Sequence, residues 1–445
     1  MRDPLTLKVA LISEHASPLA AVGGVDAGGQ NVYVAKVAFM LARLGHQVDV
    51  LTRRDHPDQP GSVDLTRGVR LVHLPAGPAQ PLSKEGLLPF MPEFNCAAER
   101  LTRHNGGYDV VHANFFMSGM AGVHLKETFD IPLVTTFHAL GLVRREHQGM
   151  ADAFPAERVE IERHVMQVSD CVIAECPQDH EDMVRLYHAD ARRISMVPCG
   201  VDVEAFRPMD RQRARAALGL SPDEFVVLQL GRMVPRKGVD NVIRALAALD
   251  RKVPARLLVV GGDHASPDES LTPEIGRLRR LARCLGVHAK VTFTGQRGRD
   301  VLPLYYAAAN AFVTTPWYEP FGITPLEAMA CGRPVIGSAV GGIQYTVVDG
   351  VTGYLVPPRD PQALAQKLAY LHANPSLADA MGRAGRIHVR RSFTWDQVVH
   401  ELERIYRSVQ GVPQFHTWGL GSILPVPVPR HTARVIPMEG MHGHA

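Results

Sequence analysis

The sequence predicts an α/β chain built on two parallel, doubly wound sheets. Three observations carry that expectation: short β-branched apolar runs alternate with longer helical patterns, the alternation occurs twice, and it breaks once, between Gly200 and Pro208. Each parallel strand pair needs a crossover, so repeated strand–helix–strand alternation implies a sheet with helices on its faces. A length of 445 residues suits two or three domains, and 46% hydrophobic residues are enough for sizeable cores.

In the first series the strand candidates are Leu7 to Ser13, Gln47 to Arg53, Val69 to Leu74, Asp109 to Ala113, Leu133 to Phe137, Cys171 to Glu175 and Ile194 to Pro198. Helices belong between them. Asn31 to Leu44, for example, carries Val34, Val37, Ala38 and Leu41 on one face. The second series has strands at Phe225 to Leu230, Arg256 to Val260, Lys290 to Thr294, Ala311 to Thr314 and Pro334 to Ser338. The expected domains are therefore 1–203 and 204–393, followed by a helix at Thr394 to Val409 within 394–410. The stretch 411–445, interrupted by Pro413, Pro425, Pro427, Pro429 and Pro437, reads as a poorly ordered extension without a catalytic role. Ligands of open α/β sheets bind outside the carboxyl ends of the strands, so a cleft between two such sheets is the expected site.

Composition narrows the function classes. A net charge of +3 gives no electrostatic footprint for nucleic acid or a membrane surface, and the local cluster Arg277, Arg279, Arg280 and Arg283 reads as a solvated helix face. The six cysteines show neither C-x-x-C nor zinc-type Cys/His spacing, and most lie in apolar surroundings that predict buried, reduced thiols. The apolar run after Met1 continues into a strand signal, and no later run reaches the length of a membrane span. A cytoplasmic enzyme is expected. His416, His431, His442 and His444 lack ligand spacing, so no metal site is expected there.

Four segments carry chemistry. The run W-Y-E-P-F-G-I-T-P-L-E-A-M-A-C-G-R-P-V-I-G-S-A-V-G-G, Trp317 to Gly342, places Glu319 and Glu327 on either side of a glycine turn, and Pro325 is expected to open a helix whose N-terminus suits a phosphate. In G-R-M-V-P-R-K-G, Arg232 and Lys237 follow a strand and offer two cations to a diphosphate. In V-T-T-F-H-A-L-G, His138 stands just past a strand end. The loop G-G-V-D-A-G-G-Q-N-V-Y-V lets backbone approach a ligand without Cβ atoms in the way. Taken singly, the first segment also reads as a surface loop followed by an amphipathic helix, the second as two surface cations on a loop, and His138 as a structural histidine, while the glycine loop competes with a dinucleotide-binding fingerprint. The glycine pairs Gly23–Gly24 and Gly28–Gly29 do not match G-x-G-x-x-G, which weighs against a dinucleotide site even though Asp55 could mimic its ribose-binding acid.

Together, and in this order, the segments resemble the retaining glycosyltransferases of family 4 with the GT-B fold, in which two Rossmann-like domains face each other. The likeness covers nearly the whole chain to about Val409, and it is strongest to the branch of sucrose-phosphate synthases and mycothiol-type enzymes. It implies a hexosyltransferase without cofactor or metal that uses a nucleotide-diphosphate sugar, UDP-glucose or a related UDP-sugar, with GDP-mannose as the alternative. The resemblance assigns catalytic roles to His138, Arg232, Lys237 and Glu319. Donor contacts fall to Gly28, Gly29, Phe321, Gly322, Ile323, Thr324 and Glu327, with Glu319 on the hexose and Glu327 on the ribose. Acceptor contacts fall to Gln30, Asn31, Lys84 and Arg158, the last two where phosphorylated-acceptor branches grip a phosphate. Phe115 and Ala139 depart from this pattern, standing where the mycothiol branch carries hydroxyls. Alternative readings are a GT-B nucleotide-sugar epimerase, an NAD(P)-dependent oxidoreductase, a two-carboxylate hydrolase and a noncatalytic sugar-binding protein. The final helix is expected to cross back to the first domain.

Overall fold

A computed structural model describes residues 6–19, 28–149 and 152–411. The loop glycines Gly23 and Gly24 and the proline-interrupted tail beyond residue 411 lie outside these residues. The first sheet is ordered β3-β4-β2-β1-β5-β6-β7-β8. Its strands are β1 (Lys8–Ile12), β2 (Gln47–Arg53), β3 (Ser62–Thr66), β4 (Val69–Leu74), β5 (Val110–Asn114), β6 (Leu133–Thr136), β7 (Cys171–Ala174) and β8 (Ile194–Met196). The second, ordered β11-β10-β9-β12-β13-β14, has β9 (Phe225–Leu230), β10 (Ala255–Val260), β11 (Val291–Gly295), β12 (Ala311–Thr314), β13 (Val335–Ser338) and β14 (Gly353–Val356). All pairings are parallel except β3 with β4.

Helices α1 (Gly29–Arg43), α2 (Met91–His104), α3 (Phe116–Phe129), α4 (Gly141–Gln148), α5 (Arg158–Val168) and α6 (Pro177–Tyr187) accompany the first sheet. The second carries α7 (Arg211–Leu218), α8 (Val239–Ala248), α9 (Pro273–Cys284), α10 (Leu302–Ala308), α11 (Ile323–Ala330), α12 (Gly341–Thr346), α13 (Pro361–Ala373) and α14 (Pro375–Ser392). The central strands β1, β5, β6 and β7 are buried throughout. A parallel strand covered on both faces has no polar side to present, which is why these segments read as unbroken apolar runs.

Two strands go beyond the sequence expectation. Edge strand β3 alternates exposed and half-buried residues, S-V-D-L-T, and is antiparallel to β4 across a turn at Gly68 (φ 86°). β14 is a short edge strand beside β13. Two helix starts also differ: α1 begins at Gly29 instead of Asn31, and α11 at Ile323 instead of Pro325. Proline's missing N–H is tolerated in a helix's first turn, so Pro325 sits just inside the start that Gly322 opens.

The last helix, α15 (Trp395–Val409), starts from a capping box between Thr394 and Gln397. It buries Trp395, Val398, Val399, Leu402, Ile405 and Tyr406, and returns to the first sheet. There Tyr406 Oη lies 2.6 Å from His112 Nδ1, Glu403 3.4 Å from His46, and the Gln410 amide donates to Asp109 O at 2.9 Å. Where the chain leaves the first sheet, Val201 pairs in parallel with Thr394, and Val201 N donates to Phe393 O at 2.8 Å. Among the described residues no helix is long and apolar enough to cross a membrane.

Candidate functional site

On the first sheet the site is built at the carboxyl ends of β1, β5, β6 and β7. His138, two residues past β6 in a left-handed backbone conformation (φ 58°), places Nδ1 3.3 Å from Glu175 Oε1 and Nε2 3.0 Å from Asn114 Oδ1. The edge-on ring of Tyr33 stands 4.9 Å away. The Cys199 thiol donates to the same Glu175 oxygen at 2.8 Å. Burial pushes the Glu175 carboxyl up, but the charge and hydrogen bond of His138 and the thiol bond outweigh it and leave the group below the usual carboxylate range. At the start of α1, Gly28 and Gly29 come through with little around them, and a Cβ on Gly29 would lie 3.7 Å from Ile323 of the second sheet's α11. Gln30 donates to Ser13 Oγ at 3.2 Å and Asn114 O at 3.1 Å. Asn31 is buried, accepting from Gly28 N and donating to Ser17 O, both at 2.9 Å. Its amide thus shapes the glycine loop.

On the second sheet, adjacent strands β9 and β12 end in loops tied to one another: Trp317 N donates to Arg236 O at 2.9 Å, and Thr315 Oγ1 to Gly238 O at 2.9 Å. This brings Lys237 Nζ into an ion pair with Glu319. Burial, opposed by Glu319 and reinforced by the Arg236 and Arg232 charges, lowers the Lys237 ammonium to about 8. Glu319 is pushed up by burial, and Lys237, Arg236 and Arg232 more than reverse that, so it stays ionised. The glycine pair seats this loop closely: a Cβ on Gly341 would fall 1.9 Å from Glu319 O, and one on Gly342 2.3 Å from Phe321 O. Phe321 is buried, with Gly322, Ile323 and Thr324 following at the helix start. Glu327 is separate from the ion pair. It is 1% exposed, accepting from Arg299 Nη2 at 2.7 Å and from Tyr306 Oη at 2.9 Å.

The two halves touch. Cys176, the N-cap of α6, donates its thiol to Pro320 O at 3.3 Å, and Tyr318 stacks on His147 of α4 at 5.0 Å while its hydroxyl meets Gln148. A cavity of about 260 Å³ lies here, lined in part by Leu140, His147, Asp179, Tyr318 and Glu319.

The acceptor candidates are less uniform. Lys84 heads a 3-10 turn, its ammonium 3.9 Å from Glu85. Arg158 is only 1% exposed; Nε donates to Glu162 at 2.7 Å and Nη2 to Ala139 O at 2.5 Å. Its guanidinium lies 4.5 Å from the Phe154 ring, 4.8 Å from Phe116 and 5.0 Å from Phe115. Nη1 is buried without a hydrogen-bond partner among the described residues. Sequence reasoning missed Glu175, Asn114, Arg299 and Tyr318. Two of these carried a signal: Glu175 is a carboxylate at the end of a strand candidate, and Tyr318 lies within the run Trp317 to Gly342. Among the described residues no group of three or more His, Cys, Asp or Glu is placed to hold a metal ion.

Comparison with known proteins bears on what this arrangement is. Residues 27–205 match the description "Glycosyltransferase Family 4" and residues 210–388 "Glycosyl transferases group 1". D-inositol 3-phosphate glycosyltransferase 1 of Catenulispora acidiphila is 38% identical over 407 residues, covering 90% of this chain and 96% of that protein. The D-inositol 3-phosphate glycosyltransferase of Actinosynnema mirum is 38% identical over 417 residues, 91% of this chain and 98% of its own. Among solved structures, sucrose-phosphate synthase from Thermosynechococcus elongatus superposes with a TM-score of 0.84 at 36% identity, over 92% of this chain and 100% of that one. Two α/β domains with parallel sheets, the loop pair joining Lys237 to Glu319, and relatives matched over nearly their whole length lead to one conclusion: the chain belongs to the GT-B glycosyltransferases of family 4.

Proposed function

We propose that the protein moves a hexose, with retention, from a UDP-sugar such as UDP-glucose to a hydroxyl of a small phosphorylated acceptor. The observation that carries this reading is the Lys237–Glu319 pair, which joins the loops after β9 and β12 with the Arg232 and Arg236 charges beside it. When the bond to the anomeric carbon breaks, negative charge develops on the leaving diphosphate, and preorganised cations stabilise it. Glu319 is held by Lys237 and is thereby kept for a hexose hydroxyl, not for a nucleophile's role. A departing phosphate oxygen takes the acceptor's proton on the same face, and orientation does the rest. His138 faces the hexose, the Gly28–Gly29 turn borders the phosphates, and Glu327 takes the ribose once Arg299 gives way. The domain limits at 203/204 and 393/394 belong to the same proposal. The free thiols suit a reducing cytoplasm.

A phosphorylated acceptor is supported by the names of the relatives, which specify inositol 3-phosphate and sucrose-phosphate. Arg158 adds a buried guanidinium, one nitrogen of which has no hydrogen-bond partner among the described residues. The test is a panel of nucleotide sugars crossed with sugar-phosphate and inositol-phosphate acceptors, read by mass spectrometry. Lys84→Ala should raise the acceptor's apparent KM while donor affinity stays unchanged, and a dephosphorylated acceptor should lose that dependence. A wild type that prefers the neutral acceptor rules the phosphate out. Lys84→Ala is cleaner than an Arg158 variant, which leaves the buried Glu162 carboxylate without its counter-charge, held only by Gly141 N and the Tyr187 hydroxyl.

A further inference from the structure

We propose that Tyr318 is a positioning residue for the transfer reaction: it passes the approach of the first half of the molecule to its neighbour Glu319, and so sets the acid that meets the hexose. This rests on the reading of Glu319 as the hexose acid. Tyr318 is buried, and its ring has a group from each half against it. His147 of α4 stacks on it at 5.0 Å with the planes 14° apart, and the Arg236 guanidinium of its own half lies 5.1 Å from the ring centre. The Tyr318 hydroxyl meets the Gln148 amide, again from α4.

The loop around Glu319 is fixed from three directions, and only one of them involves the first half. Towards β9, Trp317 N donates to Arg236 O at 2.9 Å, and Lys237 pairs with the Glu319 carboxylate. Towards α12, Gly342 N donates to Glu319 O at 3.2 Å, and Gly341 lets the backbone come against that same carbonyl. Both ties lie within the second half and need no contact across the cleft. The third direction faces the first half, and there the residues on either side of Glu319 make the contacts. Tyr318 meets α4, and Pro320 O accepts from the Cys176 thiol at 3.3 Å. The first half thus grips the segment on both sides of the acid.

The cavity of about 260 Å³ at this contact is what the grip encloses. Tyr318, Glu319 and Pro320 line it from one half, and Leu140, His147 and Asp179 from the other. Asp179 is pushed up to about 8 by burial and then by the Glu175 charge, so it is uncharged at neutral pH and adds no repulsion against Glu319 where the halves meet. The side chains assigned to the nucleotide and its phosphates, Glu327, Arg232 and Lys237, all belong to the second half, so the nucleotide does not depend on this contact. The hexose does, because a misplacement of about 1 Å in the transition state costs about 100-fold in rate. Tyr318 therefore acts on the transfer step and leaves nucleotide affinity alone.

The test uses variants of the full chain on both sides of the contact, assayed at pH 7. His147→Ala is decisive, because His147 is exposed, belongs to the other half and meets the Glu319 loop at Tyr318. His147→Ala and Tyr318→Leu should each lower kcat about tenfold or more, while calorimetry gives a UDP dissociation constant within about twofold of wild type. The double variant should lose no more than the worse single one, because the two rings form one contact. Tyr318→Phe, which keeps the ring, should recover most of the rate lost in Tyr318→Leu. Should Tyr318→Leu fail to fold, His147→Ala still decides. A kcat within about twofold of wild type in His147→Ala, losses that multiply in the double variant, or UDP affinity that falls in step with kcat overturns the proposal. A wild type that transfers no sugar from any nucleotide donor sinks the transferase reading and this role with it, whereas a wild type that transfers sugar no faster than His147→Ala sinks this role alone.

Discussion

Lys237 has an ammonium lowered to about 8, so near that pH half the ligand-free molecules lack the cation that a diphosphate requires. Bound phosphate charge raises the group again. UDP binding at pH 8 should therefore take up about half a proton, and at pH 6 almost none, because lysine is protonated in both states there. Calorimetry in two buffers of different ionisation enthalpy measures this directly; equal heats at pH 8 would exclude it. Arg232→Ala and Lys237→Ala should each lower kcat about 100- to 1000-fold, roughly 3 to 4 kcal/mol, with the circular dichroism spectrum unchanged. Rates within threefold of wild type for both would remove them from the reaction centre. The two acids should separate: Glu319→Ala spares UDP binding, whereas Glu327→Ala weakens UDP and UDP-sugar alike and also strips Arg299 of its acceptor and Tyr306 of the nearer of its two. Equal loss of UDP in the two variants defeats the assignment. Lys237 and Glu319 stand 82 positions apart, and both were legible because each lies in a distinctive motif. Glu175 was not legible in the same way, since its meaning comes only from β6 and β7 lying side by side.

At the scale of elements, the N-terminus of α6 holds a protonated acid. Asp179, with its carboxyl at about 8, binds a proton in the folded chain that the unfolded chain gives up near pH 4. Folding stability contributed by this group is therefore full below about pH 4 and is lost progressively as pH rises to about 8, by at most about 1.4 kcal/mol per pH unit. Asp179→Asn keeps an oxygen for the Glu175 N–H, so its melting temperature should exceed that of wild type by a margin that grows from pH 5 to pH 8 and then levels off. A margin independent of pH would show that Asp179 is ionised throughout. Strands were readable where both faces are covered, as in β2, β4, β9 and β12, whose limits agree with those expected from the sequence. β3 was not, because an exposed edge strand with Asp64 in its middle has no continuous apolar run. Helix starts slipped by two residues at Gly29 and Ile323 because the glycines before them, not the prolines or polar caps, set the first turn.

For the molecule as a whole, the two passages between the sheets run side by side. Gly200 lies against Trp395 so closely that a Cβ would come within 2.7 Å of the indole and 2.9 Å of its backbone. Gly200→Ala should therefore cost about 1 to 3 kcal/mol through overpacking, seen as a lowered melting temperature, and a wild-type value would mean the passages are loosely packed. A single connecting strand would let one sheet swivel freely over the other. Two strands zipped by the Val201–Thr394 pairing behave instead like a door hinge. Such a hinge bends easily about one line and resists twisting, so any opening that admits a sugar donor should return Lys237 and Glu319 to the same place opposite His138 each time it shuts.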